Sequence, residues 1–160
     1  MIMPTEAGGQ SSFSILVSVP DQRLDLLDGG TVVASWPVST SKFGLGAEPG
    51  SFRTPTGRFV IGEMIGADAA PWAAFKARLP TGEIATPGGD GDGVLSRILW
   101  LDGLDPENAG TRDRYIYIHG TNQESLIGTP ASHGCVRMRN ADVIDLFARV
   151  APGTPVEIVA

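Results

Sequence analysis

A chain of 160 residues with 42% hydrophobic content can bury one core of ordinary size, which excludes a multidomain array. Its formal charge of -6 excludes a nucleic-acid partner, because phosphate recognition draws on basic surface that the chain as a whole lacks. A single cysteine cannot close an intramolecular disulfide, so the thiol has to be explained in another way.

The elements read as mainly β. Residues 1–13 are expected to form a short N-terminal extension, and residues 14–160 the domain. Residues 1–18 contain no Lys or Arg, and their apolar run Ile15-Leu16-Val17 is short. Neither a signal peptide nor a membrane anchor is expected, which predicts a cytoplasmic protein if Met1 is the native start; removal of a leader would predict the periplasm or cell wall. Phe13, Ile15, Val17 and Val19 fall on one face, the period-two pattern of a strand. Residues 23–27 and 31–36 flank Asp28-Gly29-Gly30, a hairpin signal. Further strands are expected at 57–65, 97–101, 115–119 and 155–159.

Trp72, Phe75 and Leu79 suggest a short helix. A second, stronger helix is capped by Asn140, carries Val143, Leu146, Phe147 and Val150 at helical spacing, and stops at Pro152-Gly153. Gly44-Leu45-Gly46 has no phosphate-binding pattern at a helix start and reads as a loop. The run from Gly88 to Gly93 resembles a calcium loop only superficially, since the bidentate glutamate of an EF-hand would fall near Leu101. By position it reads instead, with the rest of 67–92, as a wall of a substrate cleft.

Residues 115–140, Y-I-Y-I-H-G-T-N-Q-E-S-L-I-G-T-P-A-S-H-G-C-V-R-M-R-N, hold the only cysteine and both histidines of the chain. A thiol attacks only as thiolate, and at its ordinary pKa of roughly 8.5 little is ionised near neutrality, so a catalytic cysteine needs an imidazole or cationic neighbours. A lone cysteine is more often a small buried hydrophobe. Cys135, however, is flanked by Ser132, His133, Gly134, Arg137 and Arg139, company that suits a polar turn. Between Arg112 and Arg139 there are four arginines against two acids, Asp113 and Glu124, a local excess that fits an anionic small substrate.

His119-Gly120-Thr121, then Ile127-Gly128, then Ser132-His133-Gly134-Cys135-Val136-Arg137-Met138 and Asn140 resemble the signature of the L,D-transpeptidase (YkuD-type) catalytic domain. The resemblance extends upstream through Asp21-Gln22-Arg23-Leu24, Pro37-Val38-Ser39-Thr40 and Thr54-Pro55-Thr56-Gly57-Arg58-Phe59, and downstream through Pro152-Gly153-Thr154-Pro155-Val156. Some members carry Asn where this chain has Arg137. The resemblance implies a β-sandwich-like domain with one main helix near the C-terminus, a cysteine acyl-enzyme, and susceptibility to carbapenems.

On that basis Cys135 is the expected nucleophile, His119 the general base, and the carbonyl of Gly120 the group that orients the imidazole. The N–H groups of His133, Gly134 and Cys135 are candidates for an oxyanion hole, in a loop shaped by Ser132. Arg137, Arg139, Asn140 and Tyr117 are the candidate substrate-binding residues. The implied substrate is a peptidoglycan tetrapeptide stem or muropeptide cut before its terminal D-alanine, with no cofactor, no metal, no membrane and no nucleic acid. With no leader expected, water is favoured as acceptor, giving an L,D-carboxypeptidase of muropeptide recycling; an amine acceptor would give a cross-linking L,D-transpeptidase. Two other readings are weaker. A zinc site of His119, His133 and Cys135 lacks the usual ligand spacing, and a non-catalytic wall-peptide binder would not need an intact Cys135 and His119.

Overall fold

The computed structural model describes residues 12–89 and 91–160, so most of the expected N-terminal extension lies outside the described residues. Ten strands form one sheet: β1 (Phe13–Ser18), β2 (Arg23–Asp28), β3 (Thr31–Ser39), β4 (Gly57–Ile65), β5 (Ala73–Lys76), β6 (Leu79–Ile84), β7 (Val94–Gly103), β8 (Tyr117–Gly120), β9 (Val136–Met138) and β10 (Pro155–Val159). Their order is β4-β10-β1-β2-β3-β9-β8-β7-β5-β6. Because β4 also pairs with β7, eight strands close into a ring and the β5–β6 hairpin projects from it. The closing strand β10 lies parallel to β1 and antiparallel to β4.

Alternation drives the closure. Ile15 and Val17, Leu24 and Leu26, Phe59 and Ile61, and Leu99 and Leu101 all point into one buried cluster. The one α-helix among the described residues, α1 (Asn140–Arg149), packs on β7 and β8, adding Val143 and Leu146 to that cluster. Burying one such leucine is worth about 2 kcal/mol. The mainly β fold with one C-terminal helix is therefore as expected. Among the described residues no helix is long and apolar enough to cross a membrane.

Two details differ from expectation. Trp72, Phe75 and Leu79 do not share a helix: they belong to the β5–β6 hairpin and its approach, with Phe75 buried and Leu79 67% exposed. Ala77 and Arg78 form its turn with φ of 50° and 66°. Two successive positive φ values are the mark of a type I′ turn, ordinarily written Asn-Gly or Asp-Gly, so Ala-Arg carried no turn signal. In α1 the cap is also different. Arg139 is the N-cap, and Asn140 is the first helical residue, with its own N–H donated to the Glu124 carboxylate at 2.7 Å. An anion at a helix N-terminus is favourable there.

Candidate active site

The parallel pairing of β8 with β9 sets the site. Ile118 stands opposite Val136, His119 opposite Arg137, and Gly120 opposite Met138. Side chains alternate along a strand, so Tyr117 and His119 share one face with Cys135 and Arg137, while Ile118, Val136 and Met138 turn into the core.

His119 is fully buried. Its Nδ1 lies 2.6 Å from the carbonyl oxygen of Gly120. A carbonyl only accepts, so the proton sits on Nδ1 and the lone pair on Nε2, which has no partner among the described residues. Burial lowers the pKa of the imidazole, with Asp92 and the Gly120 bond opposing that shift and Arg137 adding to it. His119 is thus neutral at pH 7 with a free basic nitrogen.

Cys135 is only partly covered as a residue, but its sulfur faces the protein. Sγ accepts from the Tyr117 N–H at 3.3 Å and donates to the Tyr115 carbonyl at 3.4 Å. Burial pushes the thiol up to about 12, more than the Tyr117 bond and the charges of Arg137 and Arg114 lower it, and Asp92 adds to the rise. The resting group is a thiol, so its proton has to leave as the bond to carbon forms.

The turn before Cys135 is held from three sides. Ser132 Oγ donates to the Cys135 carbonyl at 2.7 Å and accepts from the Gly134 N–H at 3.2 Å. Thr54 Oγ1 donates to the Gly134 carbonyl at 3.0 Å. Gly134 has φ of +122°, and a Cβ there would press on Arg53 O at 3.3 Å, so no other residue fits comfortably. Since the Gly134 N–H is engaged by Ser132, the N–H groups of His133 and Cys135 are the oxyanion donors left by this turn.

His133 is exposed and packs between Phe43 and Phe52, with ring centroids at 5.9 and 6.1 Å. It lines two hollows. One, of about 260 Å³, is walled by Phe52, Arg114, Tyr115, Ile116 and Cys135. The other, of about 390 Å³, is walled by Lys42, Gln123, Leu126, Ala131 and Arg137. Tyr115 and Phe52, which flank the thiol hollow, both have left-handed backbones with φ of 56° and 58°. Strain of this kind concentrates where backbone groups are aimed at a site, and Tyr115 aims its carbonyl at Sγ.

The expected substrate-binding residues are placed differently from one another. Arg137 is 1% exposed, paired with Asp92 at 2.8 Å and donating to Gln123 Oε1 at 3.0 Å, so it braces the site from within. Asn140 is 1% exposed, its Oδ1 accepts from Ser96 Oγ, and its Nδ2 donates to the Thr121 carbonyl and Glu124. With every polar atom of its side chain engaged inward it clasps β7, β8 and α1. Arg139 is exposed at the start of α1 near Asp142 and lines neither hollow. Tyr117 is 7% exposed, its hydroxyl accepts from Arg78 at 3.1 Å, and it meets the site through its backbone N–H.

Arg114 and Asp92 are the residues that sequence reasoning did not single out. Arg114 donates to the carbonyls of Gly46 and Arg53 and to Ser51, and among the described residues it has no carboxylate partner. In the sequence it is one of four local arginines, with nothing to set it apart from the others. Asp92 lies in the run that resembles a calcium loop; Asp90 of that run is outside the described residues. Among the described residues no group of three or more His, Cys, Asp or Glu is arranged to hold a metal ion.

A neutral buried imidazole, the sole thiol and turn N–H groups without a partner among the described residues are thus supplied by β8, β9 and the turn that precedes β9. The chain belongs to the YkuD family, the L,D-transpeptidase catalytic domain, whose model matches residues 12–158. It is 29% identical over 146 residues to the putative L,D-transpeptidase YkuD of Bacillus licheniformis, covering 91% of this chain and 65% of that protein. It is 42% identical over 71 residues to the putative L,D-transpeptidase YqjB of Bacillus subtilis, covering 44% of this chain and 38% of that one. The fold is similar to an L,D-transpeptidase from Mycobacterium smegmatis, with a TM-score of 0.60, 18% identity and coverage of 94% of this chain and 59% of that one. It is likewise similar to the L,D-transpeptidase LdtMt1 solved in complex with imipenem, with a TM-score of 0.59, 20% identity and coverage of 93% and 59%. The chain thus spans about two thirds or less of the length of these relatives.

Proposed function

We propose that this chain is a cysteine acyl-transfer enzyme that opens the peptide bond between the L-centre of the third residue and the terminal D-alanine of peptidoglycan tetrapeptide stems. The observation that carries the reading is His119: the Gly120 carbonyl fixes its tautomer, and the β8–β9 register puts it on the face of the sole thiol. Family membership and the descriptions of its relatives as L,D-transpeptidases supply the substrate class.

Cys135 Sγ attacks the scissile carbonyl carbon while its proton passes to His119 Nε2. The oxyanion is received by the His133 and Cys135 N–H groups, each such donor being worth about 3 kcal/mol of barrier. Collapse breaks the C–N bond, and D-alanine leaves with the proton that His119 returns, giving a thioester on Cys135. An acceptor then loses a proton to His119, attacks the thioester carbon, and releases the thiol. Arg114, on the wall of the thiol hollow and without an acidic partner among the described residues, suits a substrate carboxylate.

Water is the acceptor we favour, because the base is fully buried and a small molecule reaches it most easily. A second reading is supported by the hollow of about 390 Å³ on the other side of His133, which has room for an amine-bearing side chain of a second stem. Incubation with a disaccharide tetrapeptide, with and without an amine acceptor, followed by mass analysis tests both. Tripeptide plus D-alanine is expected; an equal rate from Cys135→Ala would overturn the mechanism.

A further inference from the structure

Three buried side-chain atoms lack a well-aligned hydrogen-bond partner among the described residues: His119 Nε2, Arg137 Nε and Asp92 Oδ1, the last of which nonetheless forms an ion pair with Arg137 Nη2 at 2.8 Å. Buried polar atoms are ordinarily paired, and these three belong to one neighbourhood. His119 and Arg137 are register partners, and Asp92 acts electrostatically on both His119 and Cys135. Two of the three come from β8, which carries the base, and β9, which directly follows the nucleophile. Asp92 alone is brought from outside, by the glycine-rich loop.

That loop is fastened so as to deliver it. Gly88 N–H donates to the Asn122 carbonyl at 2.7 Å, and Asn122 Nδ2 returns a bond to the Gly88 carbonyl at 2.9 Å. Gly93 N–H donates to Asn122 Oδ1 at 2.9 Å, and a Cβ on Gly93 would stand only 2.6 Å from that oxygen. The attachment point, Asn122, is two residues beyond β8, so Asp92 is registered to the strand that carries His119. Its carboxylate lies 2.8 Å from Arg137 Nη2 and 3.5 Å from His133 Nδ1. One carboxylate thereby touches the residue two positions before Cys135 and the residue two positions after it. Arg137 at 1% exposure is a charge that needs an anion, since an unpaired buried guanidinium is strongly destabilising.

We infer that Asp92 is a positioning residue for acyl transfer, holding Arg137 and His133 together so that the Ser132-His133-Gly134-Cys135 turn keeps one orientation toward His119. The inference rests on the reading of Cys135 as nucleophile and His119 as base. It separates thiol ionisation from acyl transfer. The Asp92 charge opposes a thiolate, so removing it makes the thiol easier to ionise, while loss of the shared anchor loosens the geometry that transfer needs.

The test is made on the full chain with Asp92→Asn and Asp92→Glu. Alkylation of Cys135 by iodoacetamide at pH 8, acylation of Cys135 by a carbapenem, and thermal unfolding are measured on each. Asp92→Asn is expected to alkylate severalfold faster than wild type yet acylate at least tenfold more slowly, and Asp92→Glu to recover part of the acylation rate. Acylation of Asp92→Asn within threefold of wild type overturns the role. So does a parallel fall of alkylation, acylation and unfolding temperature, which is what mere support of the fold would give. If Asp92→Asn unfolds because it strands Arg137, the double variant Asp92→Leu/Arg137→Met removes both charges; it is expected to fold and acylate at least tenfold more slowly, and a wild-type rate in it overturns the role. A wild-type chain that alkylates but takes neither carbapenem nor stem peptide overturns the acyl-transfer reading itself, and this role with it.

Discussion

The backbone N–H of Tyr117 donates to the sulfur of Cys135 at 3.3 Å, at the start of a parallel strand pair that two residues further on sets His119 opposite Arg137. A donor aimed at sulfur favours the thiolate, but here burial outweighs it and the thiol is pushed up to about 12. Alkylation of Cys135 by iodoacetamide should therefore be slow at pH 7 and still climbing above pH 9. A rate that levels off near pH 7 would mean a standing thiolate and a different activation step.

The same shift bears on stability. The folded state keeps its proton to higher pH than an unfolded thiol does, so the contribution of Cys135 is complete below the unfolded value near 9 and is lost as pH rises toward 12. Urea unfolding of wild type and Cys135→Ala should diverge only above about pH 9, where wild type loses stability relative to the variant. Parallel curves up to pH 11 would contradict the burial of the sulfur.

His119 behaves in the opposite sense. Its pKa is lowered by burial, so it is a neutral base at pH 7, and stability is lost as pH falls from the unfolded value of 6.5 through the folded one. His119→Gln should reduce carbapenem acylation of Cys135 by about 10²- to 10⁴-fold, the usual range for a general base. The variant should also lose less stability than wild type between pH 6.5 and 4.5. His133→Ala, an exposed residue on the wall, should cost acylation much less. Equal losses for the two histidines would remove the distinction drawn between them.

Much of this was legible in the chain itself. The strands at Gly57–Ile65 and Pro155–Val159 follow from alternation, and the segment around Cys135 carries family-type residues at fixed spacing. Besides the β5–β6 hairpin and Asp92, three further features were not legible, each for a physical reason. β9 is three residues long and buried throughout, so it has no period to detect. Residues 115 and 116 precede β8 because Tyr115 takes a left-handed backbone at the end of a 3-10 turn, which an aromatic residue gives no warning of. Asn140 looks like a cap in sequence, yet a polar residue beside three tertiary partners satisfies itself inward and leaves the capping to Glu124.

That last reassignment can be measured. Asn140→Ala strands the Ser96 hydroxyl and the Thr121 carbonyl in a buried setting, while Glu124 keeps the backbone N–H of residue 140, and should cost about 2–3 kcal/mol in urea unfolding. Arg139→Ala, on the exposed neighbour, should stay within about 0.5 kcal/mol. A strong loss of activity with no loss of stability in Asn140→Ala would return it to the substrate.

The proposed choice of acceptor can be tested at the two hollows that His133 lines. If water resolves the thioester, D-alanine release from a tetrapeptide proceeds at full rate without amine, and narrowing the larger hollow changes nothing. Ala131 lines that hollow, so Ala131→Trp should leave tripeptide formation within about twofold of wild type while abolishing any cross-linked product. The smaller hollow holds Cys135 itself, so crowding it should stop both reactions alike. Product masses from a tetrapeptide, with and without a second stem at millimolar concentration, give the answer. Dominant cross-linked dimer from wild type, lost in Ala131→Trp together with most D-alanine release, would make the amine the true acceptor, with Cys135 and His119 keeping the same roles.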